Sequence, residues 1–158
     1  MAEKQSATIV LFSGDFDKVF AAFTIATGTL AAGIDTTLFV TFWGLNAIRN
    51  ESLTGKGLMG RMVGVMNRGG LDKIGPSKFN FGGIGRWMFK KMMKDKKVTM
   101  LPELRQMMVD LGVNIYACKT SMDVMEIDPD VLIPEVKGIV GVATMVEFAA
   151  KSDMQFFI

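Results

Sequence analysis

The residue whose type could support covalent chemistry is Cys118, in the stretch YACKTSMDV (116–124), and it is the only cysteine of the chain. A lone cysteine is usually a small buried hydrophobe, and it becomes reactive only where its surroundings favour the thiolate. Without a second cysteine there is no internal disulfide and no resolving thiol. A reactive Cys118 would therefore carry a persulfide or form a mixed disulfide with a partner, since thiol exchange needs no histidine.

The rest of the composition narrows the chemistry further. The chain has no histidine, which removes the usual Ser-His-acid triad and the commonest general base and metal ligand. One cysteine without histidine argues against a structural zinc site. The methionines of 59–66 and 88–93 could form a copper or cofactor box, but their helical spacing favours packing or interface roles. We therefore expect no metal and no cofactor.

The segment GKGLMG (55–60) matches the Gly-x-Gly-x-x-Gly pattern of dinucleotide-binding proteins. It does not directly follow a predicted strand, and no acidic residue lies at the ribose-binding spacing. Gly55 and Gly60 also have phosphate-loop spacing, but Arg61 and Met62 stand where Lys and Ser or Thr are required. We interpret both matches as accidents of a glycine-rich segment.

The order of apolar runs and turn signals predicts an α/β fold of alternating strands and helices. Strands are predicted at 7–12, 36–42 and 113–118, a further short strand near 138–142, and a final edge or buried strand at 154–158. Helices are predicted at 19–34, from about residue 43, within 83–97, at 101–112 and in the segment before residue 153. In the helix at 101–112, Leu104, Met108 and Leu111 lie on one face. Such alternation implies a mostly parallel sheet.

In a parallel sheet, reactive groups gather at the carboxyl ends of the strands, where Cys118 is predicted to lie. Thr120 or Ser121 could cap the next helix, and Lys119 would favour a thiolate, whereas Asp123 in the first turn would oppose it. Because the first two strands end at the same edge, the sequence predicts a pocket beside Cys118. Its other members are the residues that end those strands: Ser13, Gly14, Phe42 and Trp43. For Trp43, simple plugging of the core is the alternative.

The 158 residues fit a single domain, 1–158, with an insert at about 50–97. Residues 49–97 hold 12 Lys and Arg against 3 acidic residues, whereas the remainder is acidic. Lys90, Lys91 and Lys94 are candidates for docking a partner, and a solvated basic face is the alternative. The few aromatic residues there argue against nucleic acid. The apolar run at 19–34 is too short and too rich in Thr and Gly to span a bilayer, and the N-terminus lacks a signal-peptide pattern, so we expect a cytoplasmic protein.

Four stretches, FSGDFDK, FVTFWGLN, ACKTSMDVMEI and GVATMVEFAAKSDMQFFI, resemble the DsrE/DsrF/DsrH-like family, in particular its stand-alone DsrE-like branch. The resemblance runs from about residue 8 to the end. It implies a flavodoxin-like sheet with helices on both faces, homo-oligomers, and sulfur relay through a persulfide on the strand-end cysteine, here Cys118. Rhodanese-type and small sulfur-carrier proteins are the partners it implies. Thr120 and Glu126 depart from the pattern of the branch, which has Met and Gly there.

Two functions remain open from the sequence. The first is a sulfur-relay protein, a sulfurtransferase or persulfide carrier, that passes sulfane sulfur from Cys118 to a partner thiol. The second is a non-catalytic oligomeric binding module whose Met-rich basic segment docks a partner or touches a membrane surface, with Cys118 merely packed. Accessibility of the Cys118 thiol in the native protein separates the two.

Overall fold

The architecture is a five-stranded parallel sheet surrounded by helices, which confirms the predicted α/β fold. The computed structural model describes residues 5–158. The strand order is β4-β3-β2-β1-β5, and all pairs of neighbouring strands are parallel. The strands are β1 (Ser6–Leu11), β2 (Asp35–Val40), β3 (Asn114–Cys118), β4 (Val136–Val140) and β5 (Met154–Phe157). The closing MQFFI segment is therefore an edge strand.

Six α-helices connect these strands within the described residues: α1 (Phe16–Ala31), α2 (Leu58–Met66), α3 (Ile84–Asp95), α4 (Leu101–Asp110), α5 (Lys119–Val124) and α6 (Val142–Lys151). Short 3₁₀ helices span Phe42–Ala47, Phe81–Gly83 and Pro129–Val131. The helix predicted from about residue 43 is thus a 3₁₀ helix. No helix within residues 5–158 is long and apolar enough to cross a membrane.

Helix α4 follows the sequence prediction at its start and departs from it at its end. Pro102 lies in the first turn, and Leu104 and Met108 are buried. Leu111, predicted on the same buried face, follows the helix and is 46% exposed. Gly112 comes next with a φ of 90°, a left-handed conformation that glycine adopts without steric cost.

The two faces of the sheet are covered very unequally. Helices α1 and α4 pack together, and their side of the sheet holds the main hydrophobic core, which includes Ile115 and Ala117 of β3. The opposite face carries a small cluster of Val10, Phe39 and Cys118, against which Met145 of α6 packs. Since successive side chains of a strand alternate between faces, Cys118 lies on the α6 side of the sheet.

The predicted insert at about 50–97 contains α2 and α3, which bury almost none of their side chains. The only buried residues of these helices are Gly64 in α2 and Gly85 in α3. A Cβ at Gly64 would overlap the carbonyl oxygen of Thr54, so this helix lies directly on the neighbouring backbone. Its large side chains point to solvent, as Met59 (76% exposed) and Met66 (85%) illustrate.

Candidate functional site

Cys118 is the last residue of β3 and the residue immediately before α5. Its position at the carboxyl edge of the sheet is the one that the sequence predicts. The residue is 6% exposed and lies in the small cluster with Val10 and Phe39. The register that pairs Val40 with Ala117 brings the next residues, Thr41 and Cys118, to the same point of the edge.

Polar groups around the Cys118 sulfur favour its ionised form. Burial by itself raises the pKa of the thiol, but donors around the sulfur outweigh that effect and hold the pKa below its ordinary value. These donors are the hydroxyl and backbone N–H of Ser121, the hydroxyl of Thr41 and the backbone N–H of Thr120. A larger fraction of Cys118 is therefore thiolate, the nucleophilic form, at neutral pH.

The two hydroxyls near the sulfur share their protons. Thr41 Oγ1 and Ser121 Oγ lie 2.7 Å apart in a buried hydrogen bond, in which either atom can be the donor. Each hydroxyl has one proton, so the bond between them uses one of the two. One proton remains to be donated to the sulfur at a time. The two hydroxyls consequently form one donor unit for Cys118.

The structure corrects the sequence prediction for the residues that follow Cys118. Neither Thr120 nor Ser121 caps α5, because Cys118 itself is the N-cap residue. The N–H groups of Thr120 and Ser121 lie near its sulfur and lower the pKa of the thiol, but they do not reach the geometry of a full cap hydrogen bond. Ser121 is buried against Thr41 because the helix begins earlier than predicted. Lys119 forms an exposed ion pair with Asp123 one turn later. Its charge is thus neutralised by Asp123, and the surrounding donors lower the thiol pKa instead.

Three of the predicted pocket residues, Ser13, Gly14 and Trp43, line one cavity of about 330 Å³ at the carboxyl edge. Cys118 is not among its lining residues, because the sulfur packs on the α6 face of the sheet. Phe42 does not line this cavity and packs against Phe12 in a tilted arrangement, with ring centroids 5.4 Å apart. The ends of β1, β2 and β3 do meet at one edge of the sheet. They form two separate sites there: the thiol site of Cys118 and a polar cavity.

Two glycines hold the ends of β1 and β2 together. A Cβ at Gly14 would overlap the carbonyl oxygen of Trp43, and a Cβ at Gly44 would overlap that of Leu11. The N–H of Gly44 also donates to the carbonyl of Phe12, at 2.9 Å. The glycines of the SGD and FWGLN stretches are therefore required by the close approach of two backbone segments.

The predicted docking lysines line a broad open groove of about 710 Å³. Lys90, Lys91 and Lys94 lie there with other residues of α3 and with the segment that enters α4: Trp87, Lys97, Val98, Thr99, Met100 and Glu103. Lys90 is paired with Asp72 at 2.8 Å. The ammonium of Lys91 lies 5.6 Å from the centre of the Trp87 ring.

Sequence reasoning missed a contact between the insert and Glu126, which lies just after α5. At the start of α2, the backbone N–H groups of Lys56 and Gly57 donate hydrogen bonds to the carboxylate of Glu126. These hydrogen bonds lower the pKa of Glu126. Glu126 has a φ of 49°, a left-handed value that glycine adopts more readily. Glu126 stands where the pattern of the DsrE-like branch has Gly, and this difference is the feature of the sequence that could have indicated a special role for Glu126. Within residues 5–158, no three Cys, Asp or Glu side chains are grouped to hold a metal ion.

Comparison with known proteins gives consistent results for sequence and structure. The model of the DsrE/DsrF/DrsH-like family matches residues 3–157. The chain is 40% identical over 158 residues to the uncharacterized protein YrkE of Bacillus subtilis, covering 99% of this chain and 98% of that protein. It is 28% identical over 163 residues to the sulfur carrier protein DsrE2 of Allochromatium vinosum, covering 99% of both.

Two solved structures share the fold. The ychN protein of E. coli superposes with a TM-score of 0.61 at 14% identity, covering 98% of this chain and 99% of that one. MTH1491 of Methanobacterium thermoautotrophicum gives a TM-score of 0.55 at 12% identity, covering 98% and 100%. At these identities the likeness concerns the fold alone.

Proposed function

The chain belongs to the DsrE/DsrF/DrsH-like family, and on that premise we propose that it is a sulfur-relay protein. Cys118 carries sulfane sulfur as a persulfide and passes it to a partner thiol. The name of the sulfur carrier DsrE2, which is similar over its whole length, supports a role of this kind. The partners are sulfur donor and acceptor proteins, such as rhodanese-type proteins or small sulfur carriers.

The observation that carries the proposal is the environment of the single thiol. Cys118 ends a strand at the carboxyl edge, and hydrogen-bond donors from Thr41, Thr120 and Ser121 lower its pKa despite burial. A cysteine that only filled the core would have apolar neighbours, and burial would raise its pKa. This arrangement suits a group that must be a nucleophile in one step and a leaving group in the next.

The transfer conserves atoms and electrons. The Cys118 thiolate attacks the outer sulfur of a donor persulfide, forming a new S–S bond while the donor's S–S bond breaks and the donor leaves as a thiolate. In the second step, an acceptor thiolate attacks the outer sulfur on Cys118, and Cys118 leaves as a thiolate. The lowered pKa of Cys118 assists both steps, because it raises the thiolate fraction and improves the leaving group.

Burial of Cys118 requires the acceptor to come to the carboxyl edge. A persulfide extends the side chain of this 6% exposed residue by one S–S bond, about 2.05 Å, so the acceptor thiol must reach a sulfur close to the surface of the carboxyl edge. Helix α4 begins at the same edge, since it must run back to the start of β3. The lysine groove beside Met100 lies where α4 begins, on the opposite side of the sheet from Cys118, and we propose that its charge attracts an acidic acceptor to this end of the molecule.

Mass spectrometry of the intact protein after exposure to polysulfide tests the carrier function. We expect increments of about 32 Da per sulfur that a reductant removes, and none on Cys118→Ser. A wild-type protein that stays unmodified, while a known carrier in the same tube is loaded, would refute the proposal.

The docking role of the groove needs a separate measurement. Lys91→Glu together with Lys94→Glu should slow transfer to an acidic acceptor and weaken its dependence on salt, without affecting loading of Cys118. Lys90 is left unchanged because it holds Asp72. Lys151→Glu, at the end of α6, is the matched control. If the groove variant and the Lys151→Glu control transfer sulfur at equal rates across a salt series, the groove has no role in docking.

The exposed apolar surface of α2 and α3 favours a second function, that of an oligomeric binding module. Leu58, Met62 and Met88 are among side chains that are 42–80% exposed, and extended apolar patches of this kind mark interfaces. If the surface mediates self-association, Met62→Glu with Met88→Glu should lower the mass measured by light scattering, while Val146→Glu on α6 should not. A monomeric wild-type protein at micromolar concentration would contradict self-association.

A further inference from the structure

A polar cleft over the carboxyl ends of β1 and β2 is distinct from the thiol site. It consists of two adjoining cavities of about 510 and 330 Å³, which share Gly14, Asp15, Asn46 and Asn67 in their walls. Volumes of this size are typical of sites for small molecules. The proposed sulfur transfer uses none of these residues.

A buried cation lies behind the wall of this cleft. Arg49 is 1% exposed, and its guanidinium donates to the side-chain oxygens of Asn46 and Thr54 and to the backbone oxygen of Asn67. Every one of these partners is neutral, and among residues 5–158 Arg49 forms no ion pair with a carboxylate. A buried charge without a counter-ion is unfavourable, and burial accordingly lowers the pKa of Arg49. Its positive potential therefore extends into the cleft.

Arg49 also fixes the direction of the hydrogen bonds in the wall. A guanidinium can only donate, so Asn46 must present its oxygen to Arg49, as the contacts at 3.0 and 2.8 Å show. The amide nitrogen of Asn46 then donates to the side-chain oxygen of Asn67. This leaves the amide nitrogen of Asn67, a donor, as the outer end of the chain. The buried charge thus determines that the wall offers donors to the cleft.

The charged side chains that line the cleft are mostly positive, like the buried Arg49 behind it. Arg68, Lys73 and Arg86 line the larger cavity against one carboxylate, that of Asp15, which accepts from Ser13 at 3.0 Å. Lys73 is partly neutralised by Glu51 at 3.4 Å, and Arg86 donates to the carbonyl of Lys73 at 2.6 Å. The positive end of α1, whose N-cap residue is Asp15, also lies at this edge.

We propose that this cleft binds an oxyanion, either a free inorganic one or the phosphate or sulfonate group of a small molecule. The amide nitrogen of Asn67 and the cations of Arg68, Lys73 and Arg86 hold the oxyanion, and the charge of Arg49 favours it through Asn46. The volume beyond the cations, towards Asp15 and Trp43, accommodates the rest of a small molecule.

The site is independent of the thiol. The cleft lies over β1 and β2, and Cys118 ends β3 with its side chain on the α6 face. Strands β2 and β3 are neighbours, about 5 Å apart, but Cys118 lines neither of the two cavities. A ligand in the cleft would therefore sit beside the thiol site without touching it. Cys118→Ser should retain oxyanion binding, so the cleft and the sulfur relay can fail separately.

Fluorescence of Trp43 tests the proposal. The chain has two tryptophans, and Trp87→Phe leaves Trp43, in the wall of the smaller cavity, as the only tryptophan, whose emission can be excited selectively over that of Tyr116. Phosphate, thiosulfate and ribose 5-phosphate are titrated at constant ionic strength, with chloride as the exchanged ion. We expect a saturable change in emission. Stronger binding of ribose 5-phosphate than of phosphate identifies a small molecule as the ligand, and equal or weaker binding identifies a free oxyanion.

Two variants in the Trp87→Phe background locate the site. Asn67→Asp keeps the oxygen that accepts from Asn46 and replaces the donor by a negative oxygen, so binding should weaken at least tenfold. Arg68→Gln, at an exposed residue, should weaken oxyanion binding severalfold. This variant still tests the proposal if Asn67→Asp fails to fold. Lys151→Gln is the control and should have no effect. Absence of saturable binding, or equal binding by the parent and both variants, would overturn the proposal.

Discussion

The paired hydroxyls of Thr41 and Ser121 provide a sharp test of the proposed thiol environment. Because the two oxygens share a hydrogen bond at 2.7 Å, one hydroxyl proton is available to the Cys118 sulfur at a time. Removing either hydroxyl leaves the other free to donate. Thr41→Val and Ser121→Ala should therefore each change the thiolate fraction little, whereas the double variant should lose the donor altogether.

The expected magnitude follows from the strength of the lost bond. A hydrogen bond to a charged group contributes about 1.5–3 kcal/mol, and each 1.4 kcal/mol changes an equilibrium tenfold. The backbone N–H groups of Thr120 and Ser121 remain in the double variant, so we take the lower limit. At pH values below the thiol pKa, the double variant should have roughly tenfold less thiolate, and each single variant should stay within about threefold of wild type.

The assay is the rate of alkylation of Cys118 by iodoacetamide across a pH series under native conditions. The midpoint of the profile reports the pKa, and the plateau at high pH reports access to the thiol. Loss of the donors should move the midpoint of the double variant to higher pH and leave its plateau within about twofold. Thr120→Ala, which removes an exposed side chain and keeps the backbone N–H, should match wild type.

The double-mutant cycle distinguishes the possible results. If each single variant alone lowers the rate about tenfold, the two hydroxyls donate independently, and sharing of one proton is wrong. If the double variant has the wild-type midpoint, the hydroxyls do not act on Cys118, and the basis for the proposed thiolate is lost.

Two further predictions concern the contacts that position the site. Gly14→Ala should lower the free energy of unfolding by about 1–3 kcal/mol, because the new Cβ overlaps the Trp43 carbonyl; Gly28→Ala in α1, where a Cβ meets open space, should raise it by up to about 1 kcal/mol. Urea titrations measure both, and equal stability of the two variants would contradict the close approach. Glu126→Gln should speed amide hydrogen exchange at the start of α2, because it weakens the hydrogen bonds that the carboxylate accepts there. Glu147→Gln is the control and should not change this exchange. Unchanged exchange in Glu126→Gln would show that Glu126 does not hold the insert.

Much of the fold could be predicted from the sequence because its signals are local. The apolar runs became β1, β2 and β3 within one or two residues, and Gly33 and Gly112 follow α1 and α4 with positive φ values. The helix predicted from about residue 43 is a short 3₁₀ helix, because its geometry depends on the close approach of Gly44 to the end of β1. Contacts of that kind are not encoded in local periodicity.

The candidate site was only partly predictable for a related reason. The position of Cys118 at a strand end could be inferred, but its neighbours depend on which face its side chain occupies. The residues expected beside it, Ser13, Gly14 and Trp43, line another cavity at the same edge. Thr41 was missed, because the register that brings it to Cys118 is a property of the assembled sheet.

The sequence by itself determined the chemical inventory: a single thiol, no histidine, a basic segment and the alternation of strands and helices along the chain. These are properties of composition and of short windows, so no folding can alter them. The tertiary structure alone decided what surrounds each group. It brought Thr41 and Ser121 to Cys118 and placed Arg49 behind Asn46 and Asn67, because hydrogen bonds and charges act over a few ångströms in space between residues distant in the chain.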